Sequence, residues 1–242
     1  MNTEKKSTVV TEFIIVLFCL AACFASCKKD IVQAPSSYTM YVVNGAVNSK
    51  LQTNFTNTPI VTYNSRNIYY VQSDQSVSIA DTTALNAPLV NITYGYEKGV
   101  YTIFIAGTSP TFEAILKEET DLPFIPNDKI YGNADSVVNV RFINLSPNSV
   151  PLKIKVSTAT TNESDALAYK EITTWRTFKA GPAATTTYSI QIRNAATDAL
   201  LTTFSFAANA TNRFKNVTLM VRGLQGTTSG VNAFGVTAVN YF

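Results

Sequence analysis

Between Leu152 and Val156 the chain reads Leu-Lys-Ile-Lys-Val, so three aliphatic residues alternate with Lys153 and Lys155. A period of two puts the aliphatic side chains on one face and the ammonium groups on the other, as in a half-buried strand. Similar short segments recur at residues 38–45, 76–81, 89–96, 100–107, 137–145, 187–194, 200–208, 216–223 and 234–242, each bounded by Asn, Gly, Pro, Asp or Ser. In residues 111–118, Phe112, Ala114 and Leu116 share one face and Glu113 lies on the other, which predicts an edge strand. No stretch beyond the first 30 residues keeps a helical period. The chain is therefore expected to be all-β, built as antiparallel sandwiches.

Composition narrows the function classes. Only 14% of the 242 residues are charged and 46% are hydrophobic, enough apolar material to bury two ordinary cores. The net charge of +3 is spread along the chain, with no basic cluster longer than Lys28-Lys29, so no nucleic-acid partner is expected. There is no histidine, which removes the commonest general base and metal ligand. The three cysteines, Cys19, Cys23 and Cys27, all lie at the front, so no disulfide network staples the body.

The body divides into two related halves. Met40-Tyr-Val-Val-Asn44 aligns with Val140-Arg-Phe-Ile-Asn144, and Tyr101-Thr-Ile-Phe-Ile-Ala-Gly107 aligns with Val217-Thr-Leu-Met-Val-Arg-Gly223. Pro123, Pro126 and several charges mark a linker between them. The expected organisation is a leader at 1–26, a tether at 27–37, one sandwich at 38–120, a linker at 121–135 and a second sandwich at 136–242.

At the front, Lys5 and Lys6 precede an apolar run at 13–22, which is too short to span a bilayer and sized for a signal-peptide core. Leu-Ala-Ala-Cys ends at Cys23 and Phe-Ala-Ser-Cys at Cys27, followed at once by Lys28, Lys29 and Asp30. These residues resemble the lipobox of bacterial lipoproteins, in which a cysteine thiol takes a diacylglycerol before cleavage. Cys27 is the expected acceptor, because cleavage there removes the whole apolar run; Cys23, with Leu20 three places before it, is the alternative. Two or more acyl chains (palmitate and the diacylglycerol) would hold the protein stably on a membrane, where one would not.

The second half also carries Arg141, Asn144, Ser146 and Pro147 in an opening strand and turn, Ala180-Gly181 before a middle strand, and Thr218 with Gly223 in a late one. This pattern resembles the tandem Ig-like domains of unknown function in Bacteroidota cell-envelope lipoproteins. The first half keeps Asn44 and residues 101–107 but lacks the Ser-Pro turn. The resemblance implies an Ig-like β-sandwich fold and an outer-membrane, lipid-anchored location. It brings no catalytic residue.

Candidate chemistry is sparse. Glu118, Glu119 and Asp121 cluster where the linker begins and read as a solvated charge run. Asp74 and Asp81 flank a strand and read as turn formers. Asn162, Glu163 and Asp165 fall short of a calcium-loop order, so neither a metal nor a cofactor is expected. Trp175, Tyr69, Tyr70, Tyr94 and Tyr96 are candidate ligand-contact aromatics. Trp175 reads first as a core residue, on the face opposite Ile172 and Phe178, and second as a surface platform. Thr82 and Ser136 sit in short Asp-Ser/Thr motifs of the kind Bacteroidota O-glycosylate. The expectation is a non-enzymatic envelope protein binding a polysaccharide or another envelope protein. A carboxylate-dependent carbohydrate-active enzyme, or its accessory subunit, and a passive spacer stay open as alternatives.

Overall fold

The computed structural model describes residues 36–55, 58–92, 98–123, 136–181 and 186–241. Cys23, Cys27, Tyr94 and Tyr96 lie outside them. The described residues contain no helix and form two β-sandwiches, as expected. The first comprises β1 (Ser37–Asn44), β2 (Lys50–Thr53), β3 (Val61–Thr62), β4 (Arg66–Gln72), β5 (Val77–Asp81), β6 (Val90–Ile92), β7 (Val100–Thr108) and β8 (Thr111–Glu118). The second comprises β9 (Val137–Asn144), β10 (Leu152–Val156), β11 (Ser164–Leu167), β12 (Arg176–Lys179), β13 (Thr187–Asn194), β14 (Leu200–Ala207), β15 (Asn216–Arg222) and β16 (Gly235–Asn240).

The two halves repeat one topology. Sheet order β4-β1-β7-β8 in the first matches β12-β9-β15-β16 in the second, and β3-β2-β5-β6 matches β11-β10-β13-β14. Even the register agrees: Met40 pairs with Tyr101 in the parallel β1/β7 ladder, and Val140 pairs with Val217 in the parallel β9/β15 ladder. All other ladders are antiparallel. The first turn is repeated as well. Asn44 Oδ1 accepts from the Ala46 amide (3.1 Å) and the Ser49 hydroxyl (2.8 Å). Asn144 Oδ1 accepts from the Ser146 amide (3.1 Å) and the Ser149 hydroxyl (3.2 Å).

Three cores stack the sheets into four layers. Met40, Val42, Ile79, Ile103 and Ile105 lie in the core of the first sandwich, and Val140, Phe142, Ile154, Ile192 and Leu219 in that of the second. The intervening residues of the same strands form a third core: Tyr41, Val43, Phe104 and Ala106 from the first half meet Ile143, Leu145, Met220 and Tyr241 from the second. Strands β1, β7, β9 and β15 are thus covered on both faces, which is why they read as nearly unbroken apolar runs. Residues 36–242 form one compact unit.

The contact between the halves is self-complementary. Tyr41 occupies the position equivalent to Arg141, and Glu119, just after β8, the position equivalent to Tyr241, just after β16. The rings of Tyr41 and Tyr241 meet at 4.7 Å, and Arg141 meets Glu119 as an ion pair at 2.6 Å. These are one contact made twice, as a two-fold interface requires. The charge run at 118–121 therefore resolves differently from the expectation. Lys117 pairs with Asp121 near the surface, whereas Glu119 is buried and bound by the other half.

Strand β8 is an edge, as its alternation implied, but both faces carry apolar contacts. Phe112 packs on the first core, and Ile115, on the Glu113 face, packs on the layer between the halves. Two glycines hold the hairpins that leave β7 and β15. Gly107 and Gly223 have φ of 101° and 84°. A Cβ on Gly223 would lie 2.2 Å from the Ala233 carbonyl oxygen, whereas one on Gly226 (φ 92°) would meet nothing within 4 Å. Gly223→Ala is expected to lower stability by at least ~2 kcal/mol, combining left-handed strain with a backbone clash. Gly226→Ala should cost only ~1 kcal/mol. Urea midpoints of the two variants measure the difference.

Candidate functional site

Several sequence candidates turn out to be structural. Tyr69 is 5% exposed and stacks on Phe55 at 4.9 Å, so it belongs to the first core. Its neighbour Tyr70 is 75% exposed on strand β4, at the edge of its sheet. Trp175 is half-buried in neither sandwich core but in the layer between the halves, with the Arg141 guanidinium 4.3 Å above its ring. It shares that layer with Ile172, because residues 173–175 are not a strand and strict alternation does not apply to them.

Around Arg141 the polar groups are closely matched. Its Nη1 and Nη2 donate to Glu119 at 2.7 and 2.6 Å, and its Nε donates to the Thr218 hydroxyl at 2.9 Å. Thr102 donates to Glu119 at 2.6 Å. Burial works against the Arg141 charge, yet its hydrogen bonds to Glu119 carry its pKa above the ordinary arginine value. Burial also raises the Tyr241 phenol, against the pull of Arg141. The cluster is closed to solvent and holds the halves together.

The remaining candidate residues scatter. Asp81 Oδ1 accepts from the amide and hydroxyl of Thr83 at 2.9 and 2.6 Å, which is a turn role. Asn162 donates to Asp165 at 2.7 Å, while Glu163 turns toward Arg176 at 3.9 Å, so the three do not converge on a cation. Thr82 is half-buried after β5, and Ser136 is 2% exposed.

A cleft of about 560 Å³ opens where loops of the two halves meet. This is within the size range of ligand pockets. The first half supplies Asn48, Lys50, Tyr63 and Asn64, and the second supplies Arg222 and residues 230–233. Asn44 organises the first wall. Besides holding the turn to Ser49, it donates to the Val61 carbonyl at 2.9 Å, and its own carbonyl accepts the Asn64 amide at 2.8 Å. Asn48 and Asn64 take left-handed φ of 59° and 64°, a conformation asparagine tolerates better than most residues.

The second wall exists because the halves differ. The β7–β8 hairpin turns at once through Ser109 and Pro110, whereas the β15–β16 connection runs from 223 to 234. It reaches the first half, and Asn232 Nδ2 donates to Asn48 Oδ1 at 2.9 Å. Arg222 is fixed beneath it, donating through Nε to Thr237 at 3.1 Å and through Nη1 to the Ala233 carbonyl at 2.5 Å.

Three lining residues carry buried polar atoms that no protein group satisfies: Tyr63 OH, Asn64 Oδ1 and Asn232 Oδ1. Burial raises the Tyr63 phenol above its ordinary value. Arg222, Asn64 and the Gly223 backbone lie close enough to offset part of that, without reaching hydrogen-bond geometry. None of these residues was singled out in the sequence. The available signal was the repeated Asn-x4-Ser turn, which places Asn48 beside the first strand.

No protein-family model and no curated protein matches the chain. Among solved structures, it is similar to a carbohydrate-binding module of family CBM26 from Eubacterium rectale, determined with maltoheptaose. That likeness covers 85% of this chain and 96% of the module at 9% identity and a TM-score of 0.24. A likeness that loose carries no argument. The fold and the cleft define an all-β protein of two fused sandwiches with a recess at their junction.

Proposed function

We propose that this is a lipid-anchored cell-envelope protein that binds a saccharide in the cleft between its two sandwiches and does not transform it. The observation that carries this reading is a recess of ligand size that gathers Asn48, Tyr63, Asn64 and Asn232 from both halves. Hydroxyl groups both donate and accept, so a sugar suits a lining of amide and hydroxyl side chains. The lining of the cleft holds no carboxylate, and a second described cavity, at 161–178, holds only Glu163. Acid–base hydrolysis of a glycoside uses two carboxyl groups flanking one bond, and neither recess offers them. A spacer needs no such recess. The anchor rests on the cysteine motif in the sequence: a lipid on Cys27 would hold the protein at the outer membrane.

Titration of the full chain in detergent with a glycan panel tests the binding. Tyr63→Phe combined with Asn232→Ala should weaken the retained saccharide by about tenfold, as expected for lost hydrogen bonds, while stability falls by no more than the ~1 kcal/mol that loss of the Asn232–Asn48 bond costs. Retention of no glycan, or equal retention by the double variant, would refute the cleft. Labelled palmitate should enter the wild type and not Cys27→Ala. Label that persists there and vanishes in Cys23→Ala would move the anchor to Cys23.

A further inference from the structure

We infer that the saccharide taken by this cleft is acidic, with a ring carboxylate seated against Arg222 and Lys50. The inference rests on the proposed cleft and adds the chemical class of its ligand.

The cleft lining includes two cations and no acid. Neither Lys50 nor Arg222 has a carboxylate partner among the described residues. Some cations elsewhere are paired, Arg141 with Glu119, Lys153 and Arg193 with Asp198, Lys170 with Glu113, and others, such as Arg66, Lys179 and Lys215, form no ion pair among the described residues, but none of those three lines a described cavity. The second cavity sets Arg176 against its own Glu163, and a third, at 200–234, is lined by no charged residue. An unmatched positive pair at one recess therefore distinguishes this cleft from the other two.

Arg222 is also prepared for its task. Its Nε and Nη1 bonds to Thr237 and Ala233 fix the plane of the guanidinium, so little side-chain freedom remains to be lost on binding. Those two bonds use two of its five N–H donors, and a carboxylate accepts well from a planar fork. Lys50, the first residue of β2, adds a flexible point charge from the opposite wall. The surrounding Asn48, Asn64 and Asn232 amides and the Tyr63 phenol suit hydroxyls rather than a bare anion. Val231, 74% exposed, offers an apolar contact for the C–H face of a ring. A uronate oligomer combines all three chemistries, and a neutral sugar leaves the cations unanswered.

The test is calorimetric titration of the full chain with hexameric uronates (galacturonate, glucuronate and mannuronate), each beside its carboxyl-reduced counterpart. At least one acid form should bind tenfold or more tighter than its reduced partner. Arg222→Gln and, independently, Lys50→Gln should each weaken the acid form several-fold more than the reduced form and so remove most of that difference. Lys50 makes no ion pair or side-chain hydrogen bond among the described residues, so its variant stays informative if Arg222→Gln destabilises the hairpin. Equal binding of acid and reduced forms, both weakened by Tyr63→Phe, would overturn the acidic ligand and leave the cleft standing. Binding of no member of either series would overturn both.

Discussion

Glu119→Ala is expected to cost about 3–5 kcal/mol of folding stability, the typical penalty for stranding one partner of a buried ion pair. The carboxylate lies between the two halves and accepts from both guanidinium Nη groups of Arg141 and from Thr102. Without it, the Arg141 charge would remain fully buried among Trp175, Tyr241 and Thr218, with no anion to answer it. Water has no ready route in, because the side chains of the pair are 1% and 0% exposed. Urea unfolding of wild type and variant measures the loss. A control separates the pair's net worth from the penalty of breaking it. Replacing both members at once, as Glu119→Leu with Arg141→Met, should recover most of the lost stability, since a buried ion pair is often no better than an apolar pair of similar volume. A loss below ~1 kcal/mol for Glu119→Ala would show that the cluster contributes little to joining the halves, and the same small loss is what an exposed pair would give.

The sequence made Glu119 hard to place for a definite reason. It stands beside Glu118 and Asp121, and a run of acids ordinarily faces water. The better clue was its partner. Arg141 interrupts the apolar segment Val138 to Ile143, and a charge inside such a run calls for an opposite charge nearby. The apolar runs held a second clue. Alternation in Leu152 to Val156 correctly marked a strand with one wet face, but Met40 to Val43 and Ile103 to Ala106 do not alternate. Strands of that kind are covered on both sides. Two sandwiches sharing a third core follow from that pattern, because the inner sheets need cover on their second faces. The repeat was legible through its spacing, and the structure matches it down to the ladder register. The cleft was not. Its walls come from segments some 160 positions apart, and it depends on the length of one hairpin connection in the second half, which no local pattern announces. Aromatic residues drew attention first, yet Tyr69 and Trp175 are used in packing, and the recess has a single aromatic, Tyr63, beside Asn48, Asn64 and Asn232.

Phe104→Ala is expected to cost about 3–5 kcal/mol and to do so without splitting the unfolding transition. Phe104 is fully buried on β7 and faces the layer between the halves, among Tyr41, Ile143 and Met220. Removing its ring leaves a cavity lined by both sandwiches, and partial collapse around it recovers only part of the lost contact. If the third core makes the halves one cooperative unit, strands remote from the cavity must lose stability along with those that touch it. Trp175 reports on this layer directly, whereas far-ultraviolet circular dichroism reports on all strands together. The two signals should coincide in the wild type and in Phe104→Ala, at a lower urea concentration in the variant. Separate midpoints, with fluorescence changing first, would mean that the halves part before either sandwich melts. In that case the cleft, whose walls come from one half each, would be lost before the fold itself.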